Sequence, residues 1–196
     1  LTAKPPVAAV NISPVIGASA GSIPTPLYAA LASERLPDAR IVTLADSSGA
    51  YPSDPVLNGL IGSLWGTMDA APEWPVIDDL TVRDWGIPDL YLYAGAQAPR
   101  VVFGKFDHAY DEVQVFYAGL VGVPADARVT LIDGNEAGIE AADVEVASFV
   151  APGTDHTIVG SDALYTLEVD GVRFVDWLDG LFVGDPPADV HCGDRC

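Results

Sequence analysis

Gly17-Ala18-Ser19-Ala20-Gly21, led by Val15-Ile16 and followed by Ser22-Ile23-Pro24-Thr25-Pro26, is the stretch on which the reading of this chain turns. It has the G-x-S-x-G spacing of a nucleophile elbow, a tight turn from strand to helix that pushes a serine hydroxyl into the open. The glycines are expected because the turn leaves no room for a side chain at either place. A helix opening at the serine aims N–H groups and the positive end of its dipole at the oxyanion of acyl transfer. In a chain with 19 glycines the pattern needs its context. Val7–Val10 and Val15-Ile16 read as strand, and Ser22–Leu36 carries Ile23, Leu27, Ala30 and Leu31 at helical spacing. Pro24 and Pro26 fall in the first turn, where a missing N–H costs little. Ser19 is thus a candidate nucleophile, with the N–H of Ala20 as an oxyanion donor.

Composition bounds the rest. The chain has 196 residues, 49% of them hydrophobic, enough for one domain with a sizeable core. No apolar run reaches the length of a membrane span. The net charge is −19 with two lysines, Lys4 and Lys105, and such a surface repels phosphate backbones, which argues against a nucleic-acid partner. The two cysteines, Cys192 and Cys196, lie four apart near the end of the chain beside His191. A closed zinc site needs more ligands, so the pair reads as a small-loop disulfide formed in an oxidising compartment, and no metal is expected.

Strand-like and helix-like segments alternate, the signature of an α/β fold with a mostly parallel sheet flanked by helices. Ala39–Leu44 and Arg100–Gly104 read as strands, as does Val144–Val150, while Leu90–Ala98 and Tyr110–Leu120 read as helices. Residues 50–90 hold Trp65, Trp74 and Trp85 with several Pro and Gly, and read as a cap-like excursion with a helix near Val56–Leu64. These tryptophans could line a pocket, but aromatic side chains mostly serve burial. Leu164–Val169 suggests a strand with a tight turn at Asp170-Gly171. A last amphipathic helix carries Val172, Val175, Leu178 and Phe182 and is closed by Gly184. One domain over 1–184 and a tail over 185–196 are expected.

In an open α/β sheet ligands bind beyond the carboxyl ends of the strands. Three such ends carry reactive residues here: Ser19, an acid near 107–111, and His156 in the loop Ala151-Pro152-Gly153-Thr154-Asp155-His156. Of the three histidines, His156 comes after the last long strand, where the base of such a site belongs; His108 and His191 are less well placed. The acid must hold one imidazole tautomer and stabilise the imidazolium. Asp46, Asp107 and Asp111 all follow strands, and spacing leaves the choice open; Asp111 also suits a helix N-cap. Gln114 lies one turn beyond Asp111 and is a candidate supporting residue.

Gly17-Ala18-Ser19-Ala20-Gly21-Ser22, Tyr110-Asp111-Glu112-Val113-Gln114, Ala151–Ile158 and Gly171–Trp177, taken in order, resemble the pectin acetylesterase / Notum carboxylesterase family, above all its bacterial branch. The resemblance runs from about residue 12 to 184. It implies an α/β-hydrolase-like fold and a serine esterase that needs no cofactor and deacylates a small-molecule or polysaccharide ester outside the cytoplasm. It implies Ser19, Asp111 and His156 as the triad. It also implies strands and a Gly-rich oxyanion loop ahead of the elbow. Only 16 residues precede Gly17, so a shortened or partial chain is expected. The rival expectation is a non-catalytic binding module with an incomplete oxyanion hole, since one lost donor costs about 10²–10³ in rate.

Overall fold

The computed structural model describes residues 11–183 and 185–196. Its strands and helices in chain order are β1 (Ile12–Ala18), α1 (Thr25–Arg35), β2 (Arg40–Asp46), α2 (Pro55–Trp65), α3 (Asp89–Gln97), β3 (Phe103–His108), α4 (Glu112–Gly119), α5 (Arg128–Glu140), β4 (Val146–Ala151), α6 (Ala163–Thr166), β5 (Glu168–Val169), β6 (Val172–Arg173), α7 (Phe174–Val183) and β7 (Val190–His191). The main sheet has five strands in the order β1-β2-β3-β4-β7, every pair parallel. The protein is therefore α/β with a parallel sheet between helices. The expected strand over Val7–Val10 and the closing role of Gly184 lie outside the described residues.

Two cores follow from the two-residue period of strands that are covered on both faces. Val42 and Leu44 of β2 join Phe106, Phe149, Phe174, Trp177 and Leu181 on one side. Ile41 and Ala45 join Ala29, Ala30, Tyr91, Phe103 and Val146 on the other. Helices α1 and α3 pack together on the second side, and α7 covers the first with Phe174, Trp177 and Leu181 buried. Phe174 stands edge-on to Phe106 and Phe149, with ring centroids 4.8 and 5.2 Å apart, a favoured aromatic geometry.

β1 pairs with β2 in unbroken register from Ile12↔Arg40 to Ala18↔Asp46. Pro14 is tolerated within it because β1 is an outer strand of the described sheet, where a missing donor does least harm.

Several elements differ from the sequence reading. β3 is Phe103–His108, not Arg100–Gly104. Gly104 does not end the strand. It admits a close neighbour, because a Cβ there would collide with Leu181 and with the Thr43 carbonyl oxygen. Lys105, Asp107 and His108 are strand residues and are buried. Leu164–Val169 is not one strand: a helical turn, α6, precedes a two-residue hairpin through Asp170 and Gly171, both at positive φ as that turn demands. The last helix starts at Phe174. α5 has no clear helical signature in the sequence, since Gly134 and Gly138 weaken it and only Arg128, Ile132 and Ile139 are buried in it. The segment after α7 is more than a tail, for Val190–His191 adds the fifth strand beside β4.

The excursion holds α2 and 3-10 turns at Thr67–Ala70, Pro75–Ile77 and Val82–Asp84. Trp74 and Trp85 are buried in the core with α1 and α3, and the Trp74 indole N–H donates to Glu34 at 2.8 Å. They are packing residues; Trp65, at the end of α2, is exposed.

Candidate active site

The turn after β1 is as tight as its sequence suggests, but the helix expected to open at the serine begins only at Thr25, beyond a 3-10 turn. Ala18 is extended, then Ser19 enters the left-handed region at φ 55°, opening a 3-10 turn over Ser19–Gly21. A non-glycine residue held there costs of order 1–3 kcal/mol, a strain that gathers at functional sites. The buried Ser22 locks the turn: its N–H and its hydroxyl both donate to the Ser19 carbonyl, at 2.9 and 2.6 Å. The two glycines are unequal. A Cβ on Gly17 would overlap the Gly21 carbonyl and the Thr25 hydroxyl, whereas a Cβ on Gly21 would meet open space. The expectation that both positions exclude a side chain is thus corrected for Gly21. Ala20 is exposed in the second place of the turn.

The imidazole of His156 joins two elements far apart in sequence. Its Nε2 lies 2.7 Å from Ser19 Oγ and its Nδ1 lies 2.7 Å from Asp111 Oδ2. An ionised carboxylate only accepts, so Nδ1 carries the proton and Nε2 is free to accept from the serine hydroxyl. The His156 side chain is 20% exposed and that of Asp111 is 1% exposed. The imidazole is therefore partly exposed, while the carboxylate beside it is sealed from water.

Asp111 caps a helix and also meets the imidazole. Oδ1 caps α4, accepting from the N–H groups of Val113 and Gln114 at 2.9 and 3.1 Å. Oδ2 accepts from His156 and from Gln114 Nε2 at 3.2 Å. Four donors fix the carboxylate, so it cannot rotate away from the imidazole. Gln114 is fully buried; its Oε1 accepts from the Ala50 N–H at 2.9 Å and its Nε2 also reaches Asp107.

The other two candidate acids are close but differently engaged. Asp107 Oδ1 accepts from the Gly49 N–H at 2.8 Å and from Gln114 Nε2. Burial above all pushes its carboxyl up to about 6. Asp46, also fully buried, accepts from the N–H groups of Ile158 and Val159 at 2.9 and 2.8 Å. Burial raises its pKa, and those hydrogen bonds work against the rise. Neither touches the imidazole. The sequence reading considered Asp46 as an acid; its position at the end of β2 gave no sign that it holds the histidine loop.

His108 does not join the serine. It ends β3 with its Nδ1 buried and unpartnered, and burial lowers its pKa, which favours the neutral ring. It borders an open cleft of about 320 Å³ that is also lined by Asp155, His156, Thr157 and Ser161. His191 lies elsewhere, with Nε2 3.2 Å from Asp133 and Nδ1 accepting from the Gly193 N–H at 2.8 Å. Cys192 and Cys196 form a disulfide, so their sulfurs are committed to each other. No helix among the described residues is long and apolar enough to cross a membrane.

Comparison of the sequence with protein-family models and with curated proteins finds no match to either.

Proposed function

We propose that this protein is a serine carboxylic-ester hydrolase of α/β-hydrolase type, a deacylase akin to the pectin acetylesterase / Notum carboxylesterase family. The observation that carries the reading is the pair of 2.7 Å hydrogen bonds through one imidazole, from Ser19 to His156 and from His156 to Asp111. Three residue types in the chain order Ser…Asp…His, each beyond the carboxyl end of a parallel strand, support it further.

The chemistry follows from those contacts. Ser19 Oγ attacks the ester carbonyl as its proton passes to His156 Nε2. The buried Asp111 carboxylate stabilises the imidazolium and keeps the ring in register. The Ala20 N–H donates to the oxyanion of the tetrahedral intermediate. That intermediate collapses to an acyl-serine, and the leaving alcohol takes the proton from Nε2. Water then attacks the acyl-serine with His156 as base, releasing the carboxylic acid and restoring the serine. The reaction needs no metal or organic cofactor. The polar cleft beside His156 suits a hydroxylated alcohol portion, of a small ester or a polysaccharide. The Cys192–Cys196 disulfide supports a site of action outside the cytoplasm.

The test is covalent capture. A fluorophosphonate probe is expected to label Ser19 in the folded chain, mapped by mass spectrometry, and to leave Ser19→Ala unlabelled. A folded chain that resists the probe would favour the rival reading, a binding module in which the three residues no longer act. Esters of graded acyl length would then define the acyl pocket.

A further inference from the structure

The loop that carries His156 is held by two adjacent residues from the end of a different strand. Immediately after His156, three consecutive backbone N–H groups are taken up by side chains of β2's last residue and its neighbour. The Thr157 N–H donates to Ser47 Oγ at 3.0 Å, the Ile158 N–H donates to both oxygens of Asp46 at 3.1 and 2.9 Å, and the Val159 N–H donates to Asp46 Oδ2 at 2.8 Å. Ser47 Oγ in turn donates to Asp46 Oδ1 at 3.1 Å, so the hydroxyl relays between the carboxylate and the loop. Successive N–H groups converging on one anion form a backbone nest, and here the anion is a side chain of the protein itself.

The backbone is strained on both sides of this contact. Thr157 is held at φ 66° and Ser47 at φ 70°. A β-branched residue in the left-handed region is an outlier that persists only where its surroundings over-determine it. Asp46 is fully buried and Ser47 nearly so, hence their hydrogen bonds are not shared with bulk water. Both oxygens of Asp46 are used by amides, which leaves it no part in orienting the ring directly.

We infer that Asp46 and Ser47 are positioning residues: they clamp residues 157–159 and thereby set the His156 imidazole between Ser19 and Asp111. The inference rests on the esterase reading for its rate consequence, but the clamp also has a readout of its own. Asp46→Asn keeps the side-chain shape and replaces one acceptor oxygen by a donor that faces amide donors. Ser47→Ala removes the Thr157 contact and the hydroxyl's own hydrogen bond to Asp46, and leaves the Ile158 and Val159 contacts in place. Two quantities decide the matter on the full chain: the rate of fluorophosphonate labelling at Ser19, and the ring ¹⁵N and ¹³C shifts of His156.

The expected result is labelling about 10- to 100-fold slower in Asp46→Asn, with a smaller fall in Ser47→Ala, because small misplacements of a reacting group cost this much. On a small ester kcat falls while KM holds. The His156 ring shifts move in both variants. A merely structural role would lower the melting temperature and leave kcat and the ring shifts unchanged well below it. A folded Asp46→Asn that labels at the native rate with native ring shifts overturns the clamp. Should Asp46→Asn fail to fold, Ser47→Ala decides by the same readouts. Should the native chain not label at all, the esterase reading fails; ring shifts that still move in the variants support the clamp, and shifts that do not move overturn it.

Discussion

Asp107 Oδ1 accepts a hydrogen bond from Gln114 Nε2 at 2.9 Å, and the same nitrogen reaches Asp111 Oδ2 at 3.2 Å. One amide group thus separates two buried carboxylates that would otherwise repel each other. Asp111 is bound to an imidazole and two helix amides, while Asp107 has fewer donors and its carboxyl is pushed up to about 6, chiefly by burial. The neutral amide lets the two groups coexist beside His156.

A stability effect follows with a definite sign. The folded pKa of Asp107 lies above its ordinary value of 3.8, so between those values the native state binds more protons than the unfolded one. Its contribution therefore weakens as pH rises from about 4 to about 6. Asp107→Asn removes this slope. Urea unfolding of both proteins across that window should show the variant gaining roughly 3 kcal/mol relative to wild type as pH rises. A difference that stays flat would refute the assignment. Asp46, also raised by burial, adds a slope of the same sign to both proteins.

Asp111→Asn should separate the two jobs of that side chain. Asn retains an oxygen to cap α4, so the melting temperature should fall little. The amide no longer enforces the Nδ1–H tautomer, and kcat should fall by about 10³–10⁴. Asp111→Ala should lose that activity and about 1 kcal/mol of stability with the cap. Steady-state kinetics on an ester and thermal unfolding would separate the two effects.

The elbow glycines offer a control inside one motif. Gly17→Ala drives a methyl into the Gly21 carbonyl and the Thr25 hydroxyl, and should abolish probe labelling and lower the melting temperature by several degrees. Gly21→Ala points into open space at a backbone conformation that alanine accepts, and should change stability by less than about 0.5 kcal/mol. Equal effects at the two positions would refute this picture of the turn.

Gln114→Ala should leave Asp107, Asp111 and the Ala50 N–H each one partner short in a buried setting. A loss of about 1–3 kcal/mol is expected, read by chemical unfolding. Gln114→Glu should cost more, because it sets a third carboxylate against two.

Much of this arrangement was legible along the chain. The G-x-S-x-G spacing located Ser19, and the helical and strand periods pointed to α1, α3 and α4 and to a mostly parallel sheet. The disulfide could be read from two cysteines four residues apart. The choice among Asp46, Asp107 and Asp111 could not, without the family resemblance. All three sit at or just after strand ends and all are buried. Their donors come from residues 47, 49, 113–114, 156 and 158–159, several of them far along the chain, and no local pattern selects among the three acids. β7 was also beyond reach, since a two-residue strand is too short to display a period.

The sequence by itself determined the local events. A serine on a strained turn, an aspartate that caps a helix and a histidine in a Pro-Gly loop all follow from short-range sterics and hydrogen bonding, which act over a few residues. Only the tertiary structure decided which groups meet. The imidazole joins Ser19 and Asp111 across 137 and 45 residues of chain, and Asp46 reaches the histidine loop across 112 and 113. Those encounters depend on the parallel register of β1 to β4, which brings four strand ends together. That register is set by burial of both sheet faces at once, a property of the packed molecule.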